Sequence, residues 1–93
     1  MDLFQIGETI ICSIEVKDDA DNFKDPSTSM NITITCHDGT IVVNNLAMIK
    51  DDIGKYHYDY NSGATASRGN YTVQYTATDG TRITIAKEIF KLE

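Results

Sequence analysis

Aspartates crowd the stretches that read as turns: Asp18, Asp19, Asp21 and Asp25 in one, Asp51 and Asp52 in a second, Asp79 in a third. Calcium takes about six to eight oxygen ligands, so carboxylates converging from separate turns could hold that ion. The spacing is no EF-hand, because the central glycine and the closing glutamate of that loop are missing. Lys17, Lys24 and Lys50 lie among the acids and would neutralise part of their field, which makes a solvated acidic rim the plainer reading. His37 and His57 alternate with strand-like neighbours, and no motif sets a serine or cysteine nucleophile beside either. General acid–base work needs a base, an orienting group and a pocket, so the expectation is a protein without catalytic residues. Cys12 and Cys36 lack the Cys-x-x-Cys or histidine partners of a zinc site.

Whatever these groups do, strands must position them. Gly54-Lys55-Tyr56-His57-Tyr58-Asp59-Tyr60 and Gly69-Asn70-Tyr71-Thr72-Val73-Gln74-Tyr75-Thr76-Ala77 each open on glycine, and each carries a large residue at every second position. That period places one row of side chains on one face of a pleated strand. Polar residues fill the gaps, as in an antiparallel strand with one face to a core and one to water. Tyr56, Tyr58 and Tyr60 are therefore expected in the core; pointing outward, they would form an aromatic stripe suited to a glycan or a protein.

The rest of the chain follows the same period. Leu3, Phe4 and Ile6 precede Gly7, and then Ile10, Cys12, Ile14 and Val16 alternate with polar and apolar neighbours. From Lys17 to Ser29 the pattern dissolves into turn-forming residues, predicting a long acidic loop. Met30, Ile32, Ile34 and Cys36 form the next inward row, and Asp38-Gly39 is a two-residue hairpin signal before Thr40-Ile41-Val42-Val43. Asn44-Asn45 reads as a break, after which Leu46 to Lys50 is a short strand ending in the turn Asp51-Asp52-Ile53-Gly54. Asn61 to Arg68 is a polar loop. A second hairpin at Thr78-Asp79-Gly80 leads to a last strand whose apolar positions are Ile83, Ile85, Ile89, Phe90 and Leu92. The phase slips between Ile85 and Phe90, which predicts a β-bulge near Ala86-Lys87. No stretch holds a helical period.

Ninety-three residues with 41% hydrophobic and 24% charged residues suit one folded domain, which can bury roughly 60 to 65% of the surface of its unfolded chain. A net charge of −6 argues against a nucleic-acid or anionic-membrane partner, since both attract a basic footprint. No apolar run approaches the roughly 20 residues of a membrane-spanning helix, and the opening residues lack the order of a signal peptide. The chain is thus expected either in the cell, in a particle assembled there, or as one module of a larger secreted protein. The closing Leu92-Glu93 is also a pair often left beside a purification tag and carries no structural expectation.

Gly7-Glu8-Thr9, Asp38-Gly39-Thr40, Asp52-Ile53-Gly54-Lys55-Tyr56-His57-Tyr58, Gly69-Asn70-Tyr71-Thr72-Val73 and Thr78-Asp79-Gly80 come in an order that resembles the immunoglobulin-like sandwiches. The nearest likeness is to the prokaryotic and phage version of surface proteins, virions and macroglobulin-like chains. The resemblance implies an all-β, antiparallel immunoglobulin-like sandwich of seven to eight strands, assigned A 3–6, B 9–17, C 30–37, C′ 40–43, D 46–50, E 55–61, F 70–78 and G 82–92. It makes Gly69-Asn70-Tyr71 look like a tyrosine corner, with the Tyr71 phenol reaching back to the backbone of the preceding turn. Gly54, Tyr56, Gly69 and Tyr71 are then structural residues. Val73 stands where antibody domains keep a second cysteine.

In such sandwiches the BC, DE and FG loops share one end, so the resemblance brings the acids together, and a calcium site would draw on Asp18, Asp19, Asp21, Asp51, Asp52 and Asp79. It also puts Cys12 and Cys36 on opposite sheets. They are either two buried thiols or a disulfide at a pinched point, because sheets pack about 10 Å apart and a bridge needs Cα atoms within about 7 Å. The implied function is a non-catalytic structural or protein-interaction module, a spacer or docking unit of a cell-surface protein or virion. The alternatives are a calcium- or carbohydrate-binding module using that loop end, or an accessory domain of a larger enzyme. Neighbouring modules or a protein partner are expected, and the free edges of the terminal strands leave open a monomer or an edge-strand oligomer.

Overall fold

The computed structural model describes residues 2–18, 20–63 and 66–93 of the chain. Among them are eight strands and no helix: β1 Asp2–Phe4, β2 Thr9–Glu15, β3 Ser29–Cys36, β4 Ile41–Ala47, β5 Ile49–Asp52, β6 Lys55–Asn61, β7 Gly69–Asp79 and β8 Arg82–Leu92. They form a five-stranded sheet, β1-β8-β7-β3-β4, and a three-stranded sheet, β2-β6-β5. An all-β protein of two sheets is the fold class read from the sequence. Cys12 of β2 and Cys36 of β3 lie in different sheets, as expected.

Alternation decides what is inside. Ile10 and Cys12 of β2, Met30, Ile32, Ile34 and Cys36 of β3, Tyr71, Val73 and Tyr75 of β7 and Phe90 and Leu92 of β8 are buried together with Val43, Met48 and Tyr56. Fully burying one such side chain stabilises by about 1.5–3 kcal/mol. Tyr58 and Tyr60 pack partly buried against this core, so the tyrosine row faces inward. Tyr71 and Phe90 are cross-strand partners in the β7–β8 ladder, and their rings stack at 5.1 Å and 3°. Phe4 meets Phe90 edge-on at 5.9 Å, and Tyr60 lies 6.4 Å from Tyr71. This aromatic group closes the core at the end where β1 docks. Cys12 and Cys36 are buried and free, the thiol alternative of the two.

Several expectations need correction. The sheet is not wholly antiparallel, because β1 runs parallel to β8, with Asp2 opposite Phe90 and Phe4 opposite Leu92. Asn44-Asn45 does not end a strand. Between Ile32 and Ile34, β3 advances two residues while β4 passes three, from Leu46 to Val43, so the asparagines form a bulge. Asn45 takes a φ of 51°, a left-handed conformation asparagine tolerates better than most residues. Its N–H donates to Thr33 Oγ1 at 3.1 Å. The chain then changes sheets at Met48, whose N–H still donates to Met30 O at 2.9 Å.

The bulge expected near Ala86-Lys87 is absent: β7 and β8 pair without a shift from Gly69–Leu92 to Asp79–Arg82. The slip in apolar phase has another cause. Phe90 and Leu92 point inward, whereas Ile83, Ile85 and Ile89 are on the outer face and remain exposed. Leu92, which carried no structural expectation, is 0% exposed. Glu93 belongs to the fold as well, since its N–H donates to Phe4 O at 3.0 Å and its carbonyl accepts from Ile6 N–H. The acidic loop after β2 is more ordered than its composition suggested, with a Lys17–Phe23 bridge and two lysines, Lys17 and Lys55, over the Phe23 ring.

Candidate functional site

The loop after β2, the β5–β6 turn and the β7–β8 turn meet at one end of the sandwich, and Asp25 is where two of them join. Pro26 follows it, a neighbour that biases the aspartate toward extended backbone. The Asp25 carboxylate accepts from Gly54 N–H at 2.8 Å and from the Tyr56 phenol at 3.0 Å, both on Oδ1. Its Oδ2 accepts from Lys50 Nζ at 2.6 Å. These donors favour the ionised form. The Gly54 N–H first, and then Lys50, hold the carboxyl down at about 2 despite some desolvation, and the same contact raises Lys50. Gly54 completes the junction: its φ is 70°, its carbonyl accepts from Val16 N–H at 2.7 Å, and a Cβ there would stand 2.5 Å from Val16 O.

The third loop joins through Asp79, which accepts from Lys24 Nζ at 3.2 Å and from Ser27 N–H at 3.3 Å. These donors lower its pKa. Gly80 N–H donates to Thr28 Oγ1 at 3.1 Å. The loops thus gather as the resemblance implied, but the acids do not. Asp18 Oδ1 caps its own turn, accepting from Ala20 and Asn22 N–H. Asp21 lies 3.6 Å from Lys17, Asp51 is 2.6 Å from His57 Nδ1, and Asp52 accepts from Ile53 N–H. Asp19 falls outside the described residues. Among the described residues, no three of His, Cys, Asp and Glu come together in an arrangement that could hold a metal ion.

At the other end, the Tyr71 phenol donates to Ser67 O at 2.7 Å, and burial pushes its pKa up to about 12. Gly69 holds a φ of 126° with the His37 ring against its α-carbon. Gly69 and Tyr71 therefore shape a turn, just as Gly54 and Tyr56 shape the opposite one.

Adjoining the three-loop end, and lined there by Lys24, Asp25 and Asp79, is a groove of about 520 Å³ where the sandwich is open on one side. Its walls come from β2 and the loop after it, with Ile14 and Val16, and from β7 and β8, with Tyr75, Thr84 and Ala86. It exists because β2 pairs only with β6, and β8 before Phe90 pairs only with β7. At its edge the Tyr75 phenol donates to Glu88 Oε1. Compared with protein-family models, with curated proteins and with solved structures, the chain matches none. No helix among the described residues is long and apolar enough to cross a membrane.

Sequence reasoning assigned Asp25 to the acidic loop and gave it no role of its own. The one available signal was its place before the chain's single proline. The groove left no signal at all, since it follows from which strands fail to pair.

Proposed function

We propose that the chain is a non-catalytic structural or protein-interaction module, a spacer or docking unit of a prokaryotic cell-surface protein or phage virion of immunoglobulin-like type. The observation that carries this reading is how the loop-end polar groups are used. Asp25, Lys50, Tyr56, Asp79 and Lys24 bind one another and tie three loops together, so their donors and acceptors are engaged in holding that end of the sandwich. The open edge of β8 over Arg82–Ile89, by contrast, keeps its outward backbone groups and the side chains of Ile83, Ile85 and Ile89 available, as a docking surface does.

The test is a thermal melt in EDTA and in millimolar calcium, with magnesium as control. A site filled to about 100 times its dissociation constant would add roughly 2.7 kcal/mol and raise the midpoint by roughly 10 to 20 °C for a domain of this size. A module of the proposed kind melts at the same temperature in all three. A calcium-specific rise would instead assign the acidic loops to metal binding.

A further inference from the structure

Besides the outer side of the three-residue β1, four strand edges are open among the described residues, and three of these carry features that discourage pairing. β4 is kinked by the Asn44-Asn45 bulge, β5 has four residues and ends in Asp51-Asp52, and β2 presents Ser13 and Glu15 on its outer face. Bulges, shortness and charge are the usual defences of an edge. Over Arg82–Ile89 β8 is neither bulged nor short, and of its three charges, Arg82, Lys87 and Glu88, the first and last are of opposite sign. This run is straight, free of proline and paired on one side only. On its outer face Ile83, Ile85 and Ile89 are 63%, 54% and 47% exposed, with Lys87 as the one charge in the row.

The inner face of the same run reads Arg82, Thr84, Ala86, Glu88. Arg82 has no ion-pair partner among the described residues, and Glu88 engages one carboxylate oxygen with Tyr75. Two identical strands running antiparallel about a two-fold axis at Ile85 would set Arg82 of each copy opposite Glu88 of the other. Thr84 would then face Ala86, and Ile85 its own symmetry mate. Ile83 would face Lys87 and lie diagonal to Ile85 and Ile89 of the other copy, close enough for apolar contact. Sliding the strands two residues one way loses both charge pairs, and sliding four sets Lys87 against Lys87, so charge selects a single register.

We infer that β8 is a homotypic docking edge, through which two copies of this chain join antiparallel to continue the five-stranded sheet, with Arg82 and Glu88 pairing twice across the axis. The inference rests on the reading of the chain as an interaction module and names its partner as a second copy. The geometry is isologous, so it closes at a dimer.

Sedimentation equilibrium of the whole chain over a concentration series tests it. The expected result is a mass rising from 10.3 kDa toward twice that value. Arg82→Glu should weaken the dimer about tenfold, because like charges then oppose one another, and Arg82→Glu with Glu88→Arg should restore it. Glu88→Arg also removes the Tyr75 contact, so Ile85→Cys provides a second route. Its symmetry mates sit about 5 Å apart at Cα, within disulfide reach, and mild oxidation should give a covalent dimer. Ile83→Cys should not, since its mates are four residues, about 13 Å, apart along the strands. A monomer at every concentration overturns the inference, as does a dimer indifferent to Arg82→Glu or cross-linked equally by both cysteines. Those results leave the calcium melt untouched, so failure of the dimer and failure of the module reading are told apart.

Discussion

The Tyr56 phenol donates to Asp25 Oδ1 at 3.0 Å across 31 residues of sequence, and through this bond an inward-facing core tyrosine fixes the loop that caps the sandwich. Gly54 N–H shares the same oxygen and Lys50 takes the other. One carboxylate thereby unites the acidic loop with β5 and β6. Tyr56→Phe keeps the ring in the core and removes the bond, so it should cost about 1 kcal/mol, read as a lower midpoint in urea. Asp25→Ala should cost more than Tyr56→Phe and more than Lys50→Ala, because it leaves three donors, Gly54 N–H, the Tyr56 phenol and Lys50 Nζ, without their acceptor. Equal midpoints for all three would remove Asp25 from the centre of the junction.

The pH dependence follows from the same carboxylate. Asp25 titrates at about 2 when folded, against roughly 4 in an unfolded chain. The unfolded state therefore takes up the proton first as pH falls. The stabilisation is present above about pH 4 and is lost progressively as pH drops toward 2, with Asp38 and Asp79 shifted the same way. Asp25→Asn should lower stability at neutral pH and flatten the decline between pH 4 and 2. A decline as steep as that of the unaltered chain, followed by circular dichroism, would count against this account.

Gly54 and Gly39 separate two kinds of glycine. Both have positive φ, 70° and 91°. A Cβ on Gly39 meets nothing within 4 Å, whereas one on Gly54 strikes Val16 O and stands 2.9 Å from Lys24 N. Gly39→Ala should cost only its conformational strain, about 1 kcal/mol. Gly54→Ala adds a backbone clash that no side chain can relieve and should cost about 3 kcal/mol or more. Denaturant midpoints of the two variants decide this, and similar values would mean the junction can yield.

At alkaline pH the buried thiol takes over. Burial first, and then the negative charges of Glu88 and Asp59, push Cys12 up to about 11. Such a group is neutral in the folded state while its unfolded counterpart ionises from about pH 8.5. Stability should be complete below that pH and fall by roughly 3 kcal/mol at most as pH rises to about 11. Cys12→Ser should reduce the fall. At pH 8 neither Cys12 nor Cys36 should react with a thiol reagent until urea opens the fold, and prompt reaction would show that the core admits solvent.

What the sequence determined by itself was the set of strands and the side each presents to the core. Alternation at Ile10-Cys12, Met30-Ile32-Ile34-Cys36, Tyr56-Tyr58-Tyr60 and Tyr71-Val73-Tyr75 is a local property, because successive residues of a strand face opposite ways whatever the strand pairs with. The turns at Asp38-Gly39 and Asp79-Gly80 were legible for the same reason. Only the tertiary structure decided the partners. Whether the isoleucines of β8 signal a bulge or an exposed outer row depends on the pairing of β8 with β7, and the unshifted ladder leaves Ile83, Ile85 and Ile89 on the face turned away from the second sheet. Whether the aspartates converge or disperse depends on which lysine, histidine or backbone N–H each meets first. Asp25 became the junction because folding delivered Gly54, Tyr56 and Lys50 to it from β5, β6 and the turn between them, and charge alone does not distinguish it from its neighbours.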